Sequence, residues 1–297
     1  MMQSRILKIG MAALALLIIA AAFLGVEPGT DFTDGYLIRI SSAEPFAFET
    51  VSERIFDEFS GKLGDMHIQH GAENYNDQLV IRVQEATEED AACMVEIAAE
   101  NQAGAYLRSF DAVANPYGMG KFWNYTVLLL VACVVSAAFL WYRHGLGGGL
   151  AALAGGLGAL LCTVSLLGIA GVALNEGVYL ASGLLSLSYA LLGMYLLNEG
   201  ARIKVALLAG ESVDAIAHKS WAESAGKAIL PTAAGVLFAL LGCILAGTAL
   251  RAYMLAILLG VVGAAFGAGC LGFPIYLLFS QKHLLKSASK KKTKAIK

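Results

Sequence analysis

A chain of 297 residues that is 58% hydrophobic and only 15% charged does not have the composition of a soluble enzyme. Water-soluble domains run about 45–50% apolar and about 25% charged. The mean hydropathy of +0.66 points to lipid as the main solvent, and the net charge of −2 informs only once it is mapped along the chain.

Apolar runs without Asp, Glu, Lys or Arg occupy residues 9–26, 122–142, 146–170, 178–197, 228–250 and 253–279. A spanning helix needs about 20 such residues, so the sequence predicts six transmembrane helices. The first run has a basic start and an Ala20-Ala21-Ala22 patch near its end, as a cleaved signal does. Its 18 uncharged residues exceed the usual signal core of about 7–15 residues, and an anchor is expected. Residues 27–121 differ in composition: they hold 18 of the 23 acidic residues and six of the 21 basic ones.

Within that acidic segment, residues 36–41 alternate apolar and polar and predict a strand. Residues 46–63 carry Phe48, Val51, Ile55, Phe56 and Phe59 at helical spacing. Residues 66–70 and 78–83 are strand candidates. Thr87 caps a helix to Asn101, with Glu88, Glu89 and Asp90 at its positive end, and residues 105–110 form a last strand. The expected fold class is therefore a mainly α membrane protein. It has six transmembrane helices and a βαββαβ ferredoxin-like periplasmic domain between helices 1 and 2.

Lys and Arg gather before the first run, after the second, between the fourth and fifth, and after the sixth. With six spans these segments share one side, so both termini are expected in the cytoplasm and the acidic segment in the periplasm or exterior. The organisation reads as 1–26 N-terminus and first helix, 27–121 periplasmic domain, 122–281 five-helix bundle, and 282–297 basic tail. Lysines in the tail suit anionic lipid, and no aromatic residues interleave with them as a nucleic-acid surface would require.

Polar groups within the runs are few. Ser186, Ser188 and Tyr189 gather in mid-span as weak polar candidates, each with the simpler reading of a hydroxyl bonded to its own helix. Gly263-x-x-x-Gly267 allows close helix approach, either within the bundle or as a seam against another membrane protein. Cys133, Cys162, Cys243 and Cys270 lie in apolar runs and Cys93 in the acidic segment, which makes a disulfide framework unexpected. His67-x-x-His70 on a strand points its two rings to opposite faces, which disfavours a metal site. No phosphate-binding glycine loop and no nucleophile with a base is present, so neither catalysis nor a cofactor is expected.

After the first run stands Gly29-Thr30-Asp31-Phe32-Thr33-Asp34-Gly35, and further on come Gly247-x-x-Leu250-x-x-Tyr253 with Gly260 and Gly210-Glu211-Ser212-Val213. With one span, one external domain and five spans, this order resembles the SecF family of the bacterial Sec export machinery, within the resistance-nodulation-division superfamily. The family motif is Gly-x-Asp-Phe-x-Gly-Gly, matched at Gly29, Asp31, Phe32, Thr33 (the variable position) and Gly35, with Asp34 replacing a glycine. The resemblance implies a SecD-like partner, the Sec channel and unfolded preprotein as associates, and proton motive force as the energy source.

The family's proton-relay residues are substituted. Its Asn-Asp in the fourth span aligns with Leu192 and Gly193, its His-Asp in the third falls near Gly158 and Ala159, and its Arg before the fifth falls on Lys227. Neither Gly193 nor Ala159 can titrate, so the resemblance implies coupling through a partner or none. The function implied is an accessory subunit of Sec-dependent preprotein export. The alternatives are a non-transporting assembly subunit, or a half-transporter for lipids or amphiphiles.

Overall fold

The computed structural model describes residues 2–24, 28–73, 76–115, 118–207, 213–245 and 248–279. The lysine-rich tail and the Gly210-Glu211-Ser212 match lie outside the described residues, as does Gly247. The elements are α1 (Met2–Leu24), β1 (Gly35–Ser42), α2 (Phe48–Phe59), β2 (Met66–Glu73), β3 (Asn76–Val83), α3 (Glu88–Asn101) and β4 (Tyr106–Val113). There follow α4 (Gly118–His144), α5 (Leu146–Ile169), α6 (Glu176–Leu207), α7 (Val213–Leu245), α8 (Thr248–Phe266) and a π-helical turn, Gly267–Gly272. They form two compact units. One, the α/β unit, comprises Glu27–Asn124 and Ala173–Glu176; the other, the helical unit, comprises Met1–Val26, Tyr125–Val172 and Gly177–Lys297.

In the α/β unit the strands pair antiparallel in the order β2-β3-β1-β4. Alternation sends Ile38 and Ile40 of β1 and Leu79, Ile81 and Val83 of β3 to one face, where all are fully buried. Val51, Ile55 and Phe59, four residues apart on α2, and Ala91, Met94 and Ala98 on α3 complete this core. Burying such side chains is worth about 1.5–3 kcal/mol each for the larger ones. A capping box starts α3: Thr87 Oγ1 accepts from the Asp90 N–H at 3.2 Å, and Asp90 Oδ2 accepts from the Thr87 N–H at 2.8 Å.

The expected fold class is corrected in two respects. The sheet is small and open, with β2 and β4 as its edges, so the structure is a small antiparallel sheet with two helices and not a closed ferredoxin fold. Six transmembrane helices are not present among the described residues either. Four segments are long and apolar enough to cross a membrane: Gly118–His144, Leu146–Ile169, Glu176–Ile203 and Arg251–Phe279. A fifth is added if Ala215–Lys227 and Thr232–Leu245, bent by 42° at their junction, make one span.

The physical reasons are local. The apolar part of α1 is Leu7–Ala22, below the roughly 20 residues that bridge the hydrocarbon. The run 228–250 begins inside α7, where Pro231 lacks the N–H that a straight helix uses. Counting apolar residues does not register such a break.

In the helical unit α5 is the most enclosed segment. Gly147, Gly148, Gly149, Ala151, Ala152, Gly155 and Gly156 are buried along it. With so little side chain, neighbouring backbones come close. Gly263 and Gly267 pack against Ala159 and Thr163 of α5, so this glycine pair serves packing within the chain.

Candidate functional site

Residues singled out by sequence gather at two places, and a cluster of charged groups marks a third. The first is the turn that leads into β1. The Phe32 N–H donates to Gly29 O at 2.9 Å, and Thr33 Oγ1 donates to the same carbonyl at 3.3 Å. The Gly29 N–H donates to Leu174 O at 3.1 Å, and Pro28 forms a parallel bridge with Leu174. No side chain fits at Gly29, because a β-carbon there would run into the Asn175 amide and lie 3.0 Å from its backbone nitrogen.

Asp31 Oδ2 accepts from the Glu176 N–H at 3.1 Å, at the first residue of α6, where helix N–H groups otherwise lack partners and negative charge is favoured. The Asp31 carbonyl accepts from Asn115 Nδ2 at 2.7 Å. Asp34, the residue in place of a glycine, accepts the Asn115 N–H at 2.5 Å. Phe32 is buried and meets Phe122 edge-on at 5.4 Å. Gly35 opens β1 under the Val83 carbonyl. Asp65 and Gln84 complete the turn, accepting from the Thr30 N–H at 2.9 Å and donating to Pro28 O at 2.5 Å respectively. Gly29, Asp31, Phe32, Thr33 and Gly35 thus act as one hydrogen-bonded clasp. Asn115, Asp65 and Gln84 belong to it as well, and no motif or periodicity marked them.

The second place is the seam between α5, α6 and the π-helical turn. Ala159 is fully buried, and a β-carbon on Gly267 would lie 2.5 Å from its nitrogen. Gly193 faces the next residue of the turn, its would-be β-carbon 3.8 Å from Ala268 Cβ. Ala159 and Gly193, which the resemblance sets against the family's acids, therefore abut consecutive residues of the same wide turn and meet apolar atoms and backbone.

The remaining candidates do not converge there. Leu192 is 52% exposed and Lys227 is exposed on α7. Ser186 is buried and donates to Gly183 O at 3.1 Å, Ser188 lies exposed, and Tyr189 packs at the edge of the bundle core. Two residues apart on a helix, Ser186 and Ser188 do not share a face. Thr163 and Ser182 likewise bond their own helix, to Ala159 O at 2.8 Å and Val178 O at 2.7 Å. Each of these three buried hydroxyls is satisfied locally.

The third place was not singled out as a site by sequence. At one end of α4 and α6, Glu199 accepts from Arg143 Nε at 2.6 Å and forms an ion pair with Arg202 Nε at 3.2 Å, with His144 Nε2 at 3.8 Å. The His144 side chain is 3% exposed, and its Nε2 has no hydrogen-bond partner. Beneath it, Asn198 Nδ2 donates to Met194 O at 2.6 Å. The spacing of Glu199 and Arg202 was a readable signal, but the α4 contribution follows only from packing. Among the described residues, no group of three or more His, Cys, Asp or Glu could hold a metal ion.

No protein-family model matches the chain. It is 22% identical over 264 residues to the protein translocase subunit SecF of Desulfurispirillum indicum, covering 86% of this chain and 82% of that one. A crystal structure of SecDF in a super-membrane-facing form matches with a TM-score of 0.75 at 14% identity, over 97% of this chain. The crystal structure of SecDF, a translocon-associated membrane protein, from Thermus thermophilus matches with a TM-score of 0.61 at 16% identity, over 92% of this chain. The chain is a distant relative of SecD/SecF-type translocase proteins in sequence and resembles them in fold. It spans about two fifths of those SecDF chains, 39% and 38% of their lengths.

Proposed function

We propose that this chain is a SecF-like accessory subunit of preprotein export that works beside a SecD-like partner and the Sec channel. The observation that carries this reading is the match in fold over nearly the whole chain to less than half of SecDF, which suits one half of a two-part assembly. The clasp fits a role in fixing position, because one turn joins the entry to β1 with the starts of α4 and α6 by hydrogen bonds of the main chain and of the Asp31 and Asn115 side chains.

In this reading the energy of the proton gradient enters through the partner. A proton carrier needs a group that gains and loses charge, and the alanine and glycine at 159 and 193 have none. The α/β unit faces the periplasm and both termini the cytoplasm, and the lysine-rich tail rests on anionic lipid.

Affinity purification from native membranes tests the proposal. A SecD-like chain and the Sec channel are expected to co-purify, and recovery of neither, from membranes where both are expressed, would overturn it. Orientation is read separately. With the native cysteines removed, Ala103→Cys, on an exposed loop, should label with an impermeant thiol reagent from outside, and Ser287→Cys only after the membrane is opened.

The second reading, a non-transporting subunit that stabilises a membrane complex, is favoured by one observation. Both positions of the family acids are given over to packing against the π-helical turn. It predicts that partner abundance, and not export per assembled complex, falls when the chain is deleted.

A further inference from the structure

The α/β unit covers one face of its sheet with helices and leaves the other without any among the described residues. Because Ile38, Ile40, Leu79, Ile81 and Val83 point into the core, the alternate residues Arg39, Ser41 and Arg82 point the other way. The register places His67 of β2 directly beside Arg82 of β3, and Ser109 of β4 beside Arg39 of β1. Four strands thus bring two guanidinium groups, an imidazole and two hydroxyls onto one face.

Their bonding is incomplete. Ser41 Oγ, Arg82 Nε and Ser109 Oγ are buried and have no hydrogen-bond partner among the described residues, although buried polar atoms are almost always satisfied. Among the described residues neither Arg39 nor Arg82 makes an ion pair, in a segment where acidic residues outnumber basic ones 18 to six. On the helices of the same unit, by contrast, Arg54 pairs with Glu100 at 2.6 Å, and Lys62 just after α2 pairs with Glu58 at 2.8 Å. Asp111 shares the face, on edge strand β4 opposite Leu37, and it pairs with neither arginine.

We propose that this helix-free face is a docking surface for an extended, carboxylate-bearing segment of a partner protein. A carboxylate has acceptor capacity only, which is what a guanidinium and an orphaned N–H need, and it accepts Arg in a bidentate fork. Arg39 and Arg82 lie on neighbouring strands but two residues apart in register, Arg39 opposite Val80 and Arg82 opposite Leu37. Several spaced carboxylates therefore reach both guanidinium groups, which the single phosphate of a lipid headgroup does not. This surface is independent of the export reading and of its energy source.

The test uses the full chain in detergent and a short fluorescent peptide of alternating Glu and Val, followed by anisotropy. Saturable binding that weakens with added salt is expected, with affinity about tenfold lower for Arg39→Gln or Arg82→Gln and unchanged for Lys62→Gln. Arg39→Glu should shift preference toward a Lys and Val peptide, a gain of binding that misfolding cannot produce. No binding, equal binding of both peptides by the unaltered chain, or retention of anionic vesicles in place of the peptide would overturn the proposal.

Discussion

Gly267 and Ala159 meet backbone to backbone: a β-carbon on the glycine would lie 2.5 Å from the Ala159 nitrogen and 2.8 Å from its Cα. Backbone cannot swing aside as a side chain can, so Gly267→Ala should force α5 and the π-helical turn apart. A loss of about 1–3 kcal/mol is expected, read as a lower melting temperature in detergent. Gly235→Ala, with nothing within 4 Å of its β-carbon, is the neutral control. Gly193→Ala should also be tolerated, because its new methyl group meets only Ala268 at an ordinary 3.8 Å.

Glu199 gathers two arginines and faces a buried histidine. Replacing it by Ala leaves Arg143 and Arg202 without their acceptor, and about 2 kcal/mol of stability should be lost. The Glu199 side chain is 15% exposed, whereas Arg54 and Glu100 are 49% and 61% exposed. Salt should therefore screen the second pair far more, and Arg54→Ala should cost under about 1 kcal/mol. Melting curves at low and high ionic strength separate the two.

Asp31 holds the first N–H of α6. Asp31→Ala should cost about 1 kcal/mol, the usual value of a lost cap. Asp31→Asn retains an acceptor and should cost less, by the share that negative charge contributes at a helix N-terminus. If both variants melt alike, the charge contributes nothing. Asn115→Ala removes a second strut of the same clasp, and its effect should combine with that of Asp31→Ala non-additively in a double-mutant cycle, because both act on one turn.

The Asp90 carboxyl is held below its ordinary value by the Thr87 hydroxyl and backbone N–H, both of which bond it. A depressed value means that the stabilisation is complete above the unfolded carboxyl's pKa, about 3.9, and is lost as pH falls through the lower folded value. Thr87→Ala should thus lower stability near neutral pH, by about 1 kcal/mol, and the gap to the unaltered chain should narrow in strong acid to the share of the cap bond from the Asp90 N–H, which does not titrate. Thermal melts across that range check the sign.

Local patterns were readable in the sequence where local physics decides them. Alternation in residues 36–41 marks β1, the fourfold spacing of Val51, Ile55 and Phe59 marks the buried face of α2, and Thr87 with its acids marks the start of α3. Span number was not readable in this way. A run of apolar residues at 228–250 gives no sign that α7 bends near Lys227, and 18 uncharged residues at 9–26 do not make an apolar helix of spanning length.

At the candidate site, the motif residues 29–35 were visible because they adjoin one another. Their partners Asp65, Gln84, Asn115 and Asn175 are dispersed over more than a hundred positions, and only folding assembles them. Ser186 and Ser188 looked like neighbours because they are close in number, yet helical geometry turns them to different sides.

The π-helical turn at Gly267–Gly272 is, in effect, one residue of slack wound into the last span. Each residue advances a regular helix by about 100°, so the face shown by Phe273, Tyr276 and Leu277 depends on that slack being present. All three are buried in the bundle core. Removing a single residue from the turn would leave composition and hydropathy almost unaltered. It would nonetheless rotate these side chains off their seats, so the last span is sensitive to its count of residues as well as to their kind.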